Sequence, residues 1–317
     1  MRGVRARPVP RGKVQRTSLA VVVPTYGRPT DLARCLDGLA VQDRTPDQII
    51  VVVRLDDEPA HDVLARRRGR VGSAPLRVVP VDRPGQMWAL HEGLAEVRED
   101  VVAFTDDDAV PRPDWVERMS ARFDDPSVGA VGGRDIIAAI PDSLTRVAQV
   151  VGKVSWFGRA TGNHHLHSIG VREVDCLKGV NLAFRRSVGV QIPLHLRGDA
   201  YWNELDLCFQ VARAGFRILW DPEIIVDHAF APRPDGDRGH EARREDHAFN
   251  YWTIMRANVP PPRRWAIATW SWLIGDRVVY GLGRMVYGWI RERGEPHARR
   301  FVLASVGRWR AQRTPRT

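Results

Sequence analysis

The chain reads as an α/β protein, doubly wound about a mostly parallel central sheet. Two observations lead there. Short apolar runs alternate with stretches of helical periodicity, and charged residues collect just after the apolar runs end. In an open parallel sheet, ligands bind beyond the carboxyl ends of the strands, so those charges mark the candidate site.

In order, Leu19–Val23 is the first apolar run, and it passes into Pro24-Thr25-Tyr26-Gly27-Arg28-Pro29. A continuous run of this kind suits a strand buried on both faces. A helix is expected from Thr30, with Leu32, Cys35, Leu36 and Leu39 on one face. Ile49–Val53 is a second strand, ending in Arg54, Asp56 and Asp57, and Leu76–Val81 is a third. Gly85 to Leu94 reads as a loop and helix carrying Gln86, His91 and Glu92.

Val101–Phe104 then ends in three consecutive acids, Asp106, Asp107 and Asp108. Adjacent carboxylates repel, and a hard divalent cation is the usual compensation. Residues i and i+2 of an extended segment point the same way, so Asp106 and Asp108 could share one cation. Pro111 and Pro113 break the chain, and Asp114 is placed to cap a helix from Trp115.

Val128–Val131 with Gly132 and Gly133 reads as a strand and a turn, and residues 152–177 as a long irregular loop. His164, His165 and His167 in that loop match no metal-ligand spacing. Leu182–Phe184 is a further strand. A helix starting near Glu204 and Asp206 stops at Gly215. Phe216–Trp220 and Ile224–Asp227 read as two more strands, the second ending in His228.

Beyond Ala231 a Pro-, Gly- and Arg-rich loop is expected to about Arg244, then helices broken at Pro260-Pro261-Pro262. Across 276–291, apolar residues repeat at helical spacing while Arg277, Arg284 and Arg291 recur every seven residues. That is an amphipathic, basic, aromatic helix, suited either to an anionic membrane surface or to packing on the preceding domain.

The formal charge of the 317 residues is +10, but residues 1–16 carry +6 and Arg284 onward +7, leaving −3 between them. A mildly acidic body argues against a nucleic-acid groove, and basic ends suit an anionic surface. Residues 1–16 are read as a disordered tail. Cys35, Cys176 and Cys208 have no ligand spacing and imply a reducing compartment. With no apolar signal core and no run of membrane-spanning length, a cytoplasmic protein is expected, peripheral on the inner face of the plasma membrane. No Gly-x-Gly-x-x-Gly or Walker loop follows the first strand, which excludes the common dinucleotide and phosphate-loop sites.

Taken together, PTYGRP, the acids after the second strand, TDDDAVPRPDW, GVNLAFRR and NELDLCFQVARAGFRILWDPEIIVDH occur in an order that resembles the family 2 glycosyltransferases. The resemblance covers about Leu19 to His228. It implies a GT-A fold, Rossmann-like with a mostly parallel central sheet flanked by helices, here with a C-terminal helical extension. The corresponding domains are a tail at 1–16, a catalytic domain at 17–235 and the extension at 236–317.

The resemblance also implies a nucleotide-sugar donor, Mg²⁺ or Mn²⁺, and inverting transfer to a glycan, polysaccharide or lipid-linked acceptor. By position, Pro24, Thr25, Tyr26 and Arg28 would line the nucleotide pocket. Asp56 or Asp57 would meet the base, although Arg54-Leu55-Asp56-Asp57 departs from the family's acid-acid-Gly-Ser. Gly85, Asp106 and Asp107 would complete the donor site, and Asp106, Asp108 and His228 the metal site. Glu204 falls at the catalytic-base position, where the family usually has Asp. Lys178, Asn181 and Trp202 would shape the acceptor side. A non-catalytic binding module and a related nucleotidyltransferase are the competing readings. The latter would carry a Gly-rich basic loop that PTYGRP does not supply.

Overall fold

The computed structural model describes residues 16–137, 139–140, 142–229, 242–292 and 296–314. The proposed tail, save Arg16, and most of the loop beyond Ala231 lie outside the described residues.

The strands are β1 Leu19–Thr25, β2 Gln48–Arg54, β3 Arg70–Val71, β4 Ala74–Val81, β5 Val101–Phe104, β6 Ala109–Pro111, β7 Val128–Ile137, β8 Lys153–Val154, β9 Ala160–Thr161, β10 Arg172–Glu173, β11 Leu182–Arg185 and β12 Arg217–His228. The helices of the first part are α1 Pro29–Ala40, α2 Glu58–Arg66, α3 Gln86–Ala95, α4 Trp115–Arg122, α5 Asp142–Thr145 and α6 Asn203–Arg213. Those after it are α7 Ala242–Asn258, α8 Pro261–Leu273, α9 Leu282–Arg291 and α10 His297–Arg313.

One ten-stranded sheet runs β10-β12-β7-β11-β5-β1-β2-β4-β3, with β6 joined to β12. β5, β1, β2 and β4 are parallel, and β11 enters antiparallel between β5 and β7. β1 and β5 are buried along their whole length, as their unbroken apolar runs require. Their carboxyl ends therefore deliver the Thr25 and Asp106 loops to the same rim.

Four expectations are corrected. Gly132 and Gly133 do not turn the chain but lie inside β7. A Cβ on Gly133 would sit 1.9 Å from the Ile224 carbonyl oxygen, so these glycines serve close strand approach. Phe216–Trp220 and Ile224–Asp227 belong to one strand, β12, which is irregular between Asp221 and Ile225, beside Pro222. The helix expected over 276–291 begins only at Leu282. Before it, the Asp276 carboxylate accepts from the Val278 and Val279 N–H groups at 2.8 and 2.7 Å and holds a turn. Asp114 stands at the start of α4, but its carboxylate pairs with Arg118 rather than with a backbone N–H.

The C-terminal helices are not a loose appendage. Phe249, Tyr251, Trp252, Ile254 and Met255 of α7 join the same apolar cluster as β1, β5 and α6. Asn258 donates to Asp206 of α6 at 2.8 Å, and Tyr251 donates to the Gly158 carbonyl at 3.1 Å. Arg308 of α10, fully buried, donates to the carbonyls of Ser271 and Tyr280, both at 3.1 Å. Among the described residues no helix is long and apolar enough to cross a membrane.

Candidate active site

The loop after β1 is tied down by acids from two other strand ends. The Gly27 N–H donates to Asp57 Oδ2 at 2.6 Å, and Asp57 also caps α2 by accepting from Ala60. Asp57 is buried and spent on this; Asp56 is exposed and pairs with Arg54 at 2.9 Å. Arg54 also lies 5.2 Å above the ring of Tyr26, which is half exposed. Pro24 is buried in β1.

The three acids divide. Asp107 turns inward, accepting from Thr25 Oγ1 at 2.7 Å and from Arg28 Nη1 at 3.0 Å. Arg28 Nη1 reaches Asp108 as well, at 3.1 Å. Residues 106–109 form a turn rather than an extended segment, with the Ala109 N–H donating to the Asp106 carbonyl. Asp106 and Asp108 still face one point. Antiparallel pairing of β6 with β12 sets Ala109 opposite His228. This register brings His228 Nε2 to 3.3 Å from Asp108 Oδ1. Ligand atoms of Asp106, Asp108 and His228 all lie within 4.8 Å of one another.

Two carboxylates and an imidazole make a donor set that fits Mg²⁺ or Mn²⁺. The electrostatics agree. Burial, then Asp108, pushes the Asp106 carboxyl up to about 7. Burial works against a charged His228, but Asp108 and Asp135 outweigh it and hold the imidazole at about 9. The cluster thus retains protons where a cation would serve instead. From the start of α3, Gln86 Nε2 donates to Asp106 at 3.1 Å, and Gly85 takes φ 113° to launch that helix.

Asp135 stands behind His228. It is fully buried, lies 3.7 Å from His228 Nδ1, and forms an ion pair with Lys178. Lys178 is therefore engaged with the network rather than solvated at the surface. Nothing in the motifs singled out Asp135. A lone acid within the apolar strand Val128–Ile137 was the available signal, because such a charge demands partners.

Glu204 lies in the first turn of α6. It follows Ala200 and Trp202, whose φ values of 52° and 80° bend the chain sharply into α6. Glu204 Oε1 accepts from the Gly179 N–H at 3.2 Å. Burial raises its carboxyl above the ordinary range. It also contributes to raising the Asp106 carboxyl, so the two acids share one field. Among the described residues, Trp202 Nε1 is buried without a hydrogen-bond partner. Asn181 is committed elsewhere: its side chain accepts from Trp115 and donates to the carbonyls of Arg134 and Ile224. That ties β7, β12 and α4 together and spends both of its N–H donors, and the residue is buried. His164 is buried against the Cys176 carbonyl, 3.0 Å away, and burial lowers its pKa. Among the described residues only Asp106, Asp108 and His228 form a potential metal cluster.

Residues 16–244 match the family model described as "Glycosyltransferase like family 2". The chain belongs to glycosyltransferase family 2. The glucosyl-dolichyl phosphate glucuronosyltransferase of Haloferax volcanii is 24% identical over 226 residues, which is 66% of this glycosyltransferase and 68% of that relative. The Pyrobaculum calidifontis mannosyltransferase solved with GDP-Man and Mn²⁺ aligns over 95% of the chain and 82% of its own, with TM-score 0.55 and 19% identity. S. aureus TarS 1–349 with UDP-GlcNAc aligns over 90% and 79%, with TM-score 0.60 and 13% identity. The fold of the glycosyltransferase is GT-A, a curled α/β sheet flanked by helices.

Proposed function

We propose that this glycosyltransferase moves a sugar, with inversion, from a nucleotide-sugar donor to a hydroxyl of a glycan, polysaccharide or lipid-linked acceptor. The observation that carries the reading is the convergence of Asp106, Asp108 and His228 on one rim that also feels the charge of Glu204. A Mg²⁺ or Mn²⁺ held by those three residues would neutralise the departing diphosphate as a Lewis acid. The nucleotide would lie along Pro24, Thr25, Tyr26, Arg28 and Asp56, with Gly85, Asp106 and Asp107 beneath the sugar phosphates.

Glu204 is the catalytic base. Its half-buried carboxylate takes the acceptor proton as the hydroxyl attacks from the face away from the leaving group. The Gly179 N–H orients the carboxylate, and Lys178 and Trp202 border the acceptor. The relative named as a dolichyl phosphate enzyme supports a lipid-linked acceptor, and the neighbour named with Mn²⁺ supports the metal.

Residues 17–235 form the catalytic domain in this reading, and 236–317 the extension that lies on the anionic inner face of a membrane. α9 supports the surface reading by exposing Leu282, Val286, Tyr287, Trp289 and Ile290.

A thermal-shift screen of UDP-, GDP-, dTDP- and CDP-sugars with and without Mn²⁺ tests the proposal. Stabilisation by one nucleotide class that needs both Mn²⁺ and Asp108 supports it. Stabilisation by a donor, with neither transfer nor hydrolysis of the sugar, makes the protein a binding module instead.

A further inference from the structure

The C-terminal helices line an open cleft that includes none of the acids just described. It measures about 290 Å³ and is lined by Arg244 of α7, Arg277 and Tyr280 of the turn before α9, Arg284 of α9, Glu292 just after α9, and Arg300 of α10. Among the described residues that line it, four are arginines and one is a carboxylate. Glu292 is held by Arg284 Nη2 at 2.7 and 2.8 Å. Arg284 Nε and Nη1 are buried and, among the described residues, donate to no acceptor. Buried guanidinium N–H groups are ordinarily satisfied, and tetrahedral oxyanions match their fork.

The cleft is built rather than incidental. The Arg244 and Arg284 guanidiniums lie 5.3 and 5.7 Å from the centre of the Tyr280 ring. Tyr280 is fixed in turn, its hydroxyl bonded to His297 Nδ1 at 2.6 Å, while His297 Nε2 donates to the Glu292 carbonyl at 2.7 Å. The His297 ring lies against Gly288, where a Cβ would come within 2.4 Å of it.

We propose that this arginine cage is a phosphate site that seats the headgroup of an anionic phospholipid. The neighbouring surface argues for a lipid as the source. On α9, Leu282, Val286, Trp289 and Ile290 share one exposed face by helical spacing, and Tyr287 stands between that face and Arg284, 5.3 Å from its guanidinium. Apolar side chains beside a phosphate cage are what an interfacial helix requires: one part enters the acyl boundary while the other meets the headgroup. The inference rests on the membrane-surface reading given above and assigns it a specific headgroup pocket.

The full chain would be sedimented with vesicles of pure phosphatidylcholine and of an equal mixture with phosphatidylglycerol. The wild type should prefer the anionic vesicles. Arg277→Glu and Arg284→Gln should each lose about fivefold or more of that preference, since a basic residue near an anionic surface is worth about 1 kcal/mol. Trp289→Ser with Ile290→Ser should weaken binding to both vesicles. A donor-induced thermal shift equal to wild type certifies each fold, and Arg277, being exposed, keeps the test open should Arg284→Gln misfold. Equal anionic binding by wild type, Arg277→Glu and Arg284→Gln would overturn the cage and leave the apolar face standing. Binding to neither vesicle would overturn the membrane reading and the lipid source together. In that case, stabilisation by inorganic phosphate that disappears in Arg284→Gln would keep the cage as a site for a free phosphate, and no stabilisation would end it.

Discussion

The Asn250 carboxamide pairs with the backbone of Arg197 at both ends, accepting from its N–H at 2.8 Å and donating to its carbonyl at 2.9 Å. Asn250 is fully buried in α7, whereas Arg197 begins the loop that bends through Ala200 and Trp202 to Glu204. A helix of the extension therefore sets the path of the segment that delivers the proposed base. His247 of the same helix adds a contact to Asp199 at 3.3 Å and stacks on Tyr201.

Asn250→Ala should then cost turnover more than binding. Removing a buried amide that satisfies backbone groups costs about 1–3 kcal/mol of stability. A small displacement of a catalytic group can cost about 10²-fold in rate. We expect turnover at saturating donor to fall by that order while the Mn²⁺-dependent donor shift persists. A lowered melting temperature with unchanged turnover would make Asn250 purely structural.

Glu204→Gln should lower turnover by about 10²–10⁴-fold with donor binding retained. Gly179→Ala approaches the same carboxylate from outside, since its Cβ would sit 2.7 Å from Glu204 Oε1. It should displace the base and reproduce part of the loss. Near-full transfer by Glu204→Gln would remove Glu204 from the mechanism.

At the metal, Asp108→Ala should abolish the Mn²⁺-dependent part of donor binding, measured by calorimetry with and without EDTA. Asp135→Asn leaves all three proposed ligands in place but changes what orients His228. Partners behind a ligand typically contribute 10–100-fold in metal affinity, and a drop of about that size is expected here. Unaltered Mn²⁺ affinity in Asp108→Ala would refute the ligand assignment.

Two pH effects follow from the buried charges. Asp106 is raised to about 7 and His228 to about 9. A raised group stabilises the fold most below its unfolded pKa, and that contribution is lost as pH rises through the folded value. Metal-free protein should therefore lose stability between about pH 4 and 9, and Mn²⁺ should raise the melting temperature more at pH 8 than at pH 5. Separately, Glu204 must be ionised to act, and burial raises its pKa. The acidic limb of the rate profile should lie above the ordinary carboxylate range and vanish in Glu204→Gln. A melting temperature flat across that range without metal would contradict the charge assignment.

The sequence alone determined the long apolar strands of the sheet, the acids at their ends and the family, but not the short strands such as β6 and β10. Unbroken apolar runs such as Leu19–Val23 and Val101–Phe104 can be satisfied only by burial on both faces, which makes them legible without coordinates. What lay beyond reach depended on register and packing between distant segments. Only the pairing of β6 with β12 decides that His228 meets Asp108, and only β7 reveals Asp135 behind it. Asn181 resembled a polar residue near an acceptor, yet it is buried and bonded to three other elements. Gly132 and Gly133 resembled a turn because a local pattern does not show what approaches from across the sheet. The extension was read as amphipathic from its spacing, but tertiary contacts decided which arginines line one cleft with Tyr280. Hydrophobic periodicity is a property of neighbours in the chain, whereas the partners of a buried charge come from wherever the fold brings them.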